Sequence, residues 1–181
     1  MMEKEIKRAR RAYNDYVLVN DSELDIRVKN YILERIKENK KEIEELMKYL
    51  EREKTYEDIE KAIKDEIEKT CRYKRQVNLR KREDNFVEVT YETGIGIVAL
   101  EAYDVEEVVR YIIRAIRTRN ALIVSDVEYN EDDDKHLIMY IIKEAIKKFN
   151  ISENIINIVP YEECDYEKCD KVIYTYENKV K

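Results

Sequence analysis

The stretch that decides the fold is GIGIVALEAYDVEEVVRYIIRAIRTRNALIVSD, residues 94–126. Ile95, Ile97, Val98, Ala99 and Leu100 form a nearly continuous apolar run, as in a strand buried on both faces. Asp104, with Glu107 three residues on, is a capping box that opens a helix. Val105, Val108, Val109, Ile112, Ile113 and Ile116 recur along one side of that helix. Ala121, Leu122, Ile123 and Val124 then make a second buried strand. Strand, helix, strand at this spacing calls for a crossover connection and a parallel pair.

The same alternation continues toward the carboxyl terminus. Residues 132–149 read as a second helix, with Ile138, Ile141, Ile142, Ala145 and Ile146 facing inward. Residues 155–159 form a third strand stopped by Pro160, and residues 171–176 a fourth. The expectation is an open, mainly parallel α/β sheet with flanking helices.

Upstream, residues 86–91 alternate and are β-prone, with Val77 and Leu79 as the other arm of a hairpin across a polar turn at 82–85. The first 70 or so residues read as helix. Val28, Tyr31, Ile32 and Ile36 repeat at helical spacing behind a cap at Asp21 or Ser22. Ile43, Leu46, Met47 and Leu50 continue the stripe after Asn39, in the same helix or after a short break. Thr55 caps a further helix whose apolar side is Tyr56, Ile59, Ile63 and Ile67. The expected organisation is a helical segment over 1–71, a hairpin arm over 72–93 and an α/β unit over 94–181, packed as one compact domain.

Composition removes most enzyme classes. The chain has 181 residues with 2 Gly, 1 Pro, 1 His and no Trp. Two glycines cannot build a Gly-rich phosphate loop or a nucleophile elbow, which need nearly bare backbone. One histidine cannot build a histidine metal cage. The net charge of −6 argues against bulk nucleic-acid or membrane-surface binding. Cys71, Cys164 and Cys169 are an odd number without framework spacing, as expected in a reducing cytoplasm. The basic residues near the start are followed by no apolar core, so no signal peptide is expected.

Several clusters could carry chemistry. Asp132, Asp133 and Asp134 could attract a metal, but three consecutive residues point in different directions, and a helix-dipole role is the simpler reading. Cys164 and Cys169 lack zinc-ligand spacing, and the acids around them should raise their thiol pKa values. His136 reads as a surface histidine. Neither a catalytic residue nor a metal site is expected. The segment RYKRQVNLRKR, residues 72–82, has six basic side chains, Arg72, Lys74, Arg75, Arg80, Lys81 and Arg82. It could hold a phosphate-bearing ligand or RNA, but a solvated hairpin arm accounts for it as well.

The run ETGIGIVALEA, residues 92–102, resembles the first strand of the nucleotide-binding domain in the aldehyde dehydrogenase superfamily. The nearest branch is gamma-glutamyl phosphate reductase, matched at Gly94, Ile95, Val98, Glu101 and Ala102. Asn120 to Val124 is similar to the family's next strand, Ser152-Glu153-Asn154 to its Pro-Glu-Asn loop, and residues 171–175 to its fourth strand. The resemblance implies a Rossmann-like sheet preceded by paired helices and a hairpin arm. The family pocket would lie at Glu101, Ser125, Asp126, Glu128 and Tyr176.

The departures from the family pattern set the functional expectation. Asp126 and Glu128 put two carboxylates beside a would-be pyrophosphate, against the preference of anions for bare amides. Arg119, Val127 and Tyr176 stand where the family spends glycine on its cofactor. The family's catalytic domain, with its cysteine, would follow the last residue given. The resemblance thus implies a truncated, non-catalytic relative without a cofactor, acting as a binding or assembly module. A homodimer or a protein partner would cover its open sheet, and no membrane is involved. Two alternatives stand beside it. One is the NAD(P)-binding half of a split semialdehyde or aldehyde dehydrogenase, completed by another chain. The other is an unrelated α/β ligand-binding regulator, whose site would be the crevice near residues 100–103, Ser125 and Asp126.

Overall fold

The computed structural model describes residues 2–19, 23–70, 77–81, 87–91 and 94–175. Four helices come first: α1 Met2–Val17, α2 Leu24–Glu38, α3 Lys40–Tyr49 and α4 Tyr56–Thr70. A hairpin follows, β1 Val77–Lys81 and β2 Val87–Tyr91. The α/β part is β3 Ile97–Ala102, α5 Val105–Thr118, β4 Ala121–Asp126, α6 Asp134–Lys147, β5 Ile156–Pro160 and β6 Lys171–Tyr174. Short 3-10 turns, Tyr161–Glu163 and Tyr166–Lys168, occupy the link from β5 to β6.

The sheet order is β5-β4-β3-β6 and every pairing in it is parallel. This is the open α/β arrangement that residues 94–126 imply. The hairpin also forms, with Val77 opposite Tyr91 and Leu79 opposite Val89.

Alternation along the strands assigns two faces. Val98, Leu100, Leu122, Val124 and Ile156 join one large core with apolar residues of α2, α4, α5 and α6. Ile97, Ala121, Ile123 and Val159 form a smaller core with Ile6 and Ala9 of α1, joined by Tyr13, Cys164 and Cys169. Both faces are covered, so β3 and β4 are buried at every residue.

Local signals work as the physics of helix ends requires. Asp104 caps α5 by accepting the N–H of Glu106 at 2.9 Å, one residue earlier than a full capping box uses. Thr55 and Asp58 share the start of α4, with Asp58 Oδ2 accepting the Thr55 N–H at 2.9 Å. The stripe after Asn39 belongs to a separate helix, since Asn39 closes α2 and opens α3. Asp21, Ser22 and the hairpin turn at 82–85 lie outside the described residues.

One reading needs correction. Ile95 is 55% exposed and precedes the strand, because Gly96 at φ +131° turns the chain before β3 begins. The basic start of the chain is an amphipathic helix, α1, whose Ile6, Ala9, Ala12 and Tyr16 are buried against the sheet and its helices.

Candidate functional site

In an open parallel sheet the natural crevice lies at the carboxyl ends of the strands, where successive connections leave in opposite directions. Here that is the end of β3, which sends its chain to β4 on one side and accepts β6 on the other. Glu101 of β3 stands opposite Ser125 of β4 and Tyr174 of β6. All three belong by alternation to the face that α1 covers farther back. Glu101 and Ser125 are buried.

A side chain of the β5–β6 link fills this point. The Tyr166 hydroxyl donates to Glu101 Oε2 at 3.1 Å and lies 2.7 Å from Ser125 Oγ. A phenol has one proton, so with that proton on Glu101 the serine donates to the tyrosine. The result is a run of hydrogen bonds from Ser125 to Tyr166 to Glu101. The Tyr161 and Tyr174 rings flank Tyr166, with centroids at 6.3 and 6.4 Å. Thr175 adds its N–H and its hydroxyl to the Glu101 carbonyl oxygen, each at 3.3 Å. Burial, then the nearby Cys164 and Glu101, hold the Tyr166 phenol well above its ordinary range, against the pull of Ser125.

Asp126 faces the other way. Its Oδ1 accepts from Lys135 Nζ of α6 at 2.5 Å, and both side chains are buried. Lys135 lies 3.4 Å from Asp133 Oδ2 as well. Asp133 caps α6 through the His136 N–H at 3.0 Å, and the His136 ring sits 3.1 Å from the same oxygen. Burial, the largest single influence, would raise the Asp133 pKa, but the two His136 bonds and the nearby Lys135 together hold the carboxyl low. Asp134 takes a two-pronged bond from Arg52, at 2.9 and 3.2 Å. The three consecutive aspartates therefore diverge: Asp132 to solvent, Asp133 to the helix cap, Asp134 to Arg52. Among the described residues no cluster of His, Cys, Asp or Glu could hold a metal.

Glu101 and Ser125 thus share one site, whereas Asp126 belongs to a buried ion pair on the opposite face. Glu128 is exposed, and Tyr176 lies outside the described residues. The electrostatic objection to an anionic ligand needs revision, because Lys135 compensates Asp126. His136 is not a plain surface residue: it packs edge-on against Tyr129, with centroids 5.0 Å apart. The thiol of Cys164 is pushed up to about 11, first by burial and then by Cys169, with Asp165 a smaller contributor than the sequence suggested. Cys71, Arg72, Lys74, Arg75 and Arg82 lie outside the described residues, while Arg80 and Lys81 fall in β1.

The opposite end of the sheet explains the two glycines. A Cβ on Gly94 would come within 2.3 Å of the Arg119 carbonyl oxygen, and one on Gly96 within 2.1 Å of Asp170 Oδ2. That same Asp170 oxygen accepts the Ile97 N–H at 2.7 Å and pairs with Arg10. Arg119 is the left-handed C-cap of α5 at φ +55° and bonds the carbonyl oxygens of Tyr16 and Val19. It therefore sits at the amino end of β4, away from the crevice.

Sequence reasoning missed Tyr166, Lys135 and Arg52. Tyr166 lies 41 residues from Ser125 and 65 from Glu101, which no local pattern encodes. Lys135 sits in a run of charged residues at a helix start, where no local pattern marks it as buried.

No family model matches the chain, and no curated protein matches it by sequence. Solved structures do. Gamma-glutamyl phosphate reductase from Thermotoga maritima superposes at TM-score 0.73 and 21% identity, over 98% of this chain and 49% of that one. The protein of the same name from Saccharomyces cerevisiae gives 0.75 at 15% identity, over 98% and 51%. The chain has a partial aldehyde dehydrogenase fold. A glyceraldehyde-3-phosphate dehydrogenase from Methanocaldococcus jannaschii, solved with NADP, matches at 0.67 and 17% identity over 88% of this chain. This chain spans about half the length of the two reductases and 36% of the NADP-bound enzyme. The likeness to these structures is one of fold. Among the described residues no helix is long and apolar enough to cross a membrane.

Proposed function

We propose that this chain is a non-catalytic binding or assembly module built on part of an aldehyde dehydrogenase-type fold. The observation that carries the reading is Tyr166, hydrogen-bonded to Glu101 and Ser125 at the carboxyl ends of β3 and β4. A nucleotide entering there would have to displace a partly buried set of hydrogen bonds that the protein already makes. The edge strands β5 and β6, with the exposed Tyr161 and Tyr174 beside them, give a second copy or a protein partner a surface to cover. The unpaired thiols of Cys164 and Cys169 are consistent with the cytoplasm.

The test is an activity assay of the purified chain with NAD or NADP and a panel of aldehydes and semialdehydes. The expected result is no reduced cofactor above the uncatalysed rate. Cofactor-dependent turnover by the chain alone would overturn the reading.

One observation favours a second reading, the nucleotide-binding half of a split dehydrogenase. Lys135 neutralises Asp126, which leaves the exposed Glu128 as the carboxylate facing a would-be pyrophosphate. Turnover that appears only after a separate catalytic chain is added would establish that version.

A further inference from the structure

Helix α1 carries Lys4, Lys7, Arg8 and Arg11 at i, i+3, i+4 and i+7, so four cations share one stripe of its surface. Its apolar stripe, Ile6, Ala9, Tyr13 and Tyr16, is taken up by the two cores and their margins. In a chain of net charge −6 this row is locally against the trend. Like charges at these spacings repel, and Lys4 sits in the first turn, where the helix dipole disfavours a cation.

Intramolecular acids relieve only part of this. Lys7 pairs with Glu3 and Arg8 with Glu5, each at 2.8 Å. Lys4 and Arg11 form no ion pair with a described residue.

The stripe forms one wall of a groove of about 790 Å³, and Ser152 and Asn154 form the other. Ser152 Oγ accepts from the Asn154 N–H at 3.3 Å and its side-chain amide at 3.4 Å. Its hydroxyl proton is therefore available to the groove. Glu153, between them in sequence, is drawn away to Lys147 at 2.6 Å, so the second wall carries donors and no charge.

We propose that this groove binds a compact polyanion of two or three linked phosphoryl groups. Lys4 to Arg11 spans about 10 Å along the helix, a length such a group covers. Arg8 and Arg11 offer planar donor pairs that match phosphoryl oxygens. Glu3 and Asp15 also line the groove, flanking the stripe at either end. They cap its length against a long polyphosphate strand such as nucleic acid. The site stands apart from the Tyr166 crevice and does not depend on the proposed function.

The probe is inorganic tripolyphosphate, titrated into the full chain at low salt and followed by calorimetry and amide chemical shifts. The expected result is saturable binding with shifts confined to residues around 4–15 and 152–154, and weaker binding of single phosphate. Lys4→Gln with Arg11→Gln should weaken tripolyphosphate at least about tenfold, with an unchanged circular dichroism spectrum. Tyr166→Phe should leave that affinity unchanged, which keeps this site distinct from the crevice. The proposal is overturned by no saturable binding, or by binding that survives the double substitution. It is also overturned by a single-stranded RNA that binds more tightly than tripolyphosphate and is indifferent to the substitution, which would point to another basic segment.

Discussion

At its carboxyl end the parallel sheet carries buried polar side chains in two separate sets, whereas at its amino end two glycines let a backbone carbonyl and a carboxylate approach closely. The two ends solve different problems. At the amino end, Gly94 and Gly96 admit the Arg119 carbonyl and the Asp170 carboxylate at distances no Cβ would allow. At the carboxyl end the difficulty is desolvation. Glu101 and Ser125 meet it with a neutral hydroxyl, Asp126 with a buried ammonium. The difference teaches where glycine scarcity matters: both glycines serve packing far from the crevice, and the crevice itself contains none.

The largest effect should come from the ionic set. Lys135→Ala leaves Asp126 buried without its partner and should cost about 3–5 kcal/mol in urea unfolding. Pairing it with Asp126→Asn should recover much of that loss, since the uncompensated charge is gone. A mild effect of Lys135→Ala alone would break the contrast between the two polar sets.

Next is the amino end. Gly96→Ala forces a side chain into φ +131° and against Asp170, at a cost of about 1–3 kcal/mol. An unchanged midpoint would show that the close approach is not needed. Tyr166→Phe should cost less, about 1–2 kcal/mol, because Glu101 and Ser125 lose one shared partner.

These contrasts also mark what the sequence could say. The strands and both helices of residues 94–149 were legible because their periodicities are local and unbroken. Gly96 was harder: an apolar Ile95 extends the strand pattern, while the positive φ that ends it leaves no trace but the glycine itself. Asp126 read as a free charge because its partner is nine residues away on the next helix, in an ordinary-looking run of aspartates. Tyr166 was invisible for a related reason. Fifteen tyrosines are scattered through the chain, and only the fold selects the one that reaches Ser125.

The smallest effect is chemical rather than energetic. With its thiol pushed up to about 11, Cys164 should be alkylated slowly at pH 8 and faster as pH rises toward that value. The thiolate fraction at pH 8 should be roughly two-hundredfold below that of an ordinary cysteine. Mass spectrometry of iodoacetamide-treated protein, native against urea-unfolded, checks this. Equal rates in both states would mean that the link carrying Tyr166 is open.

Under the proposed function, Tyr166 occupies the crevice at the carboxyl ends of β3 and β4 where a nucleotide would otherwise bind. Titration of the unmodified protein with NADH and NADPH, followed by cofactor fluorescence, tests it most directly. The account predicts no saturable change up to about 1 mM; saturable binding in the micromolar range, lost on adding excess NAD or NADP, would contradict it.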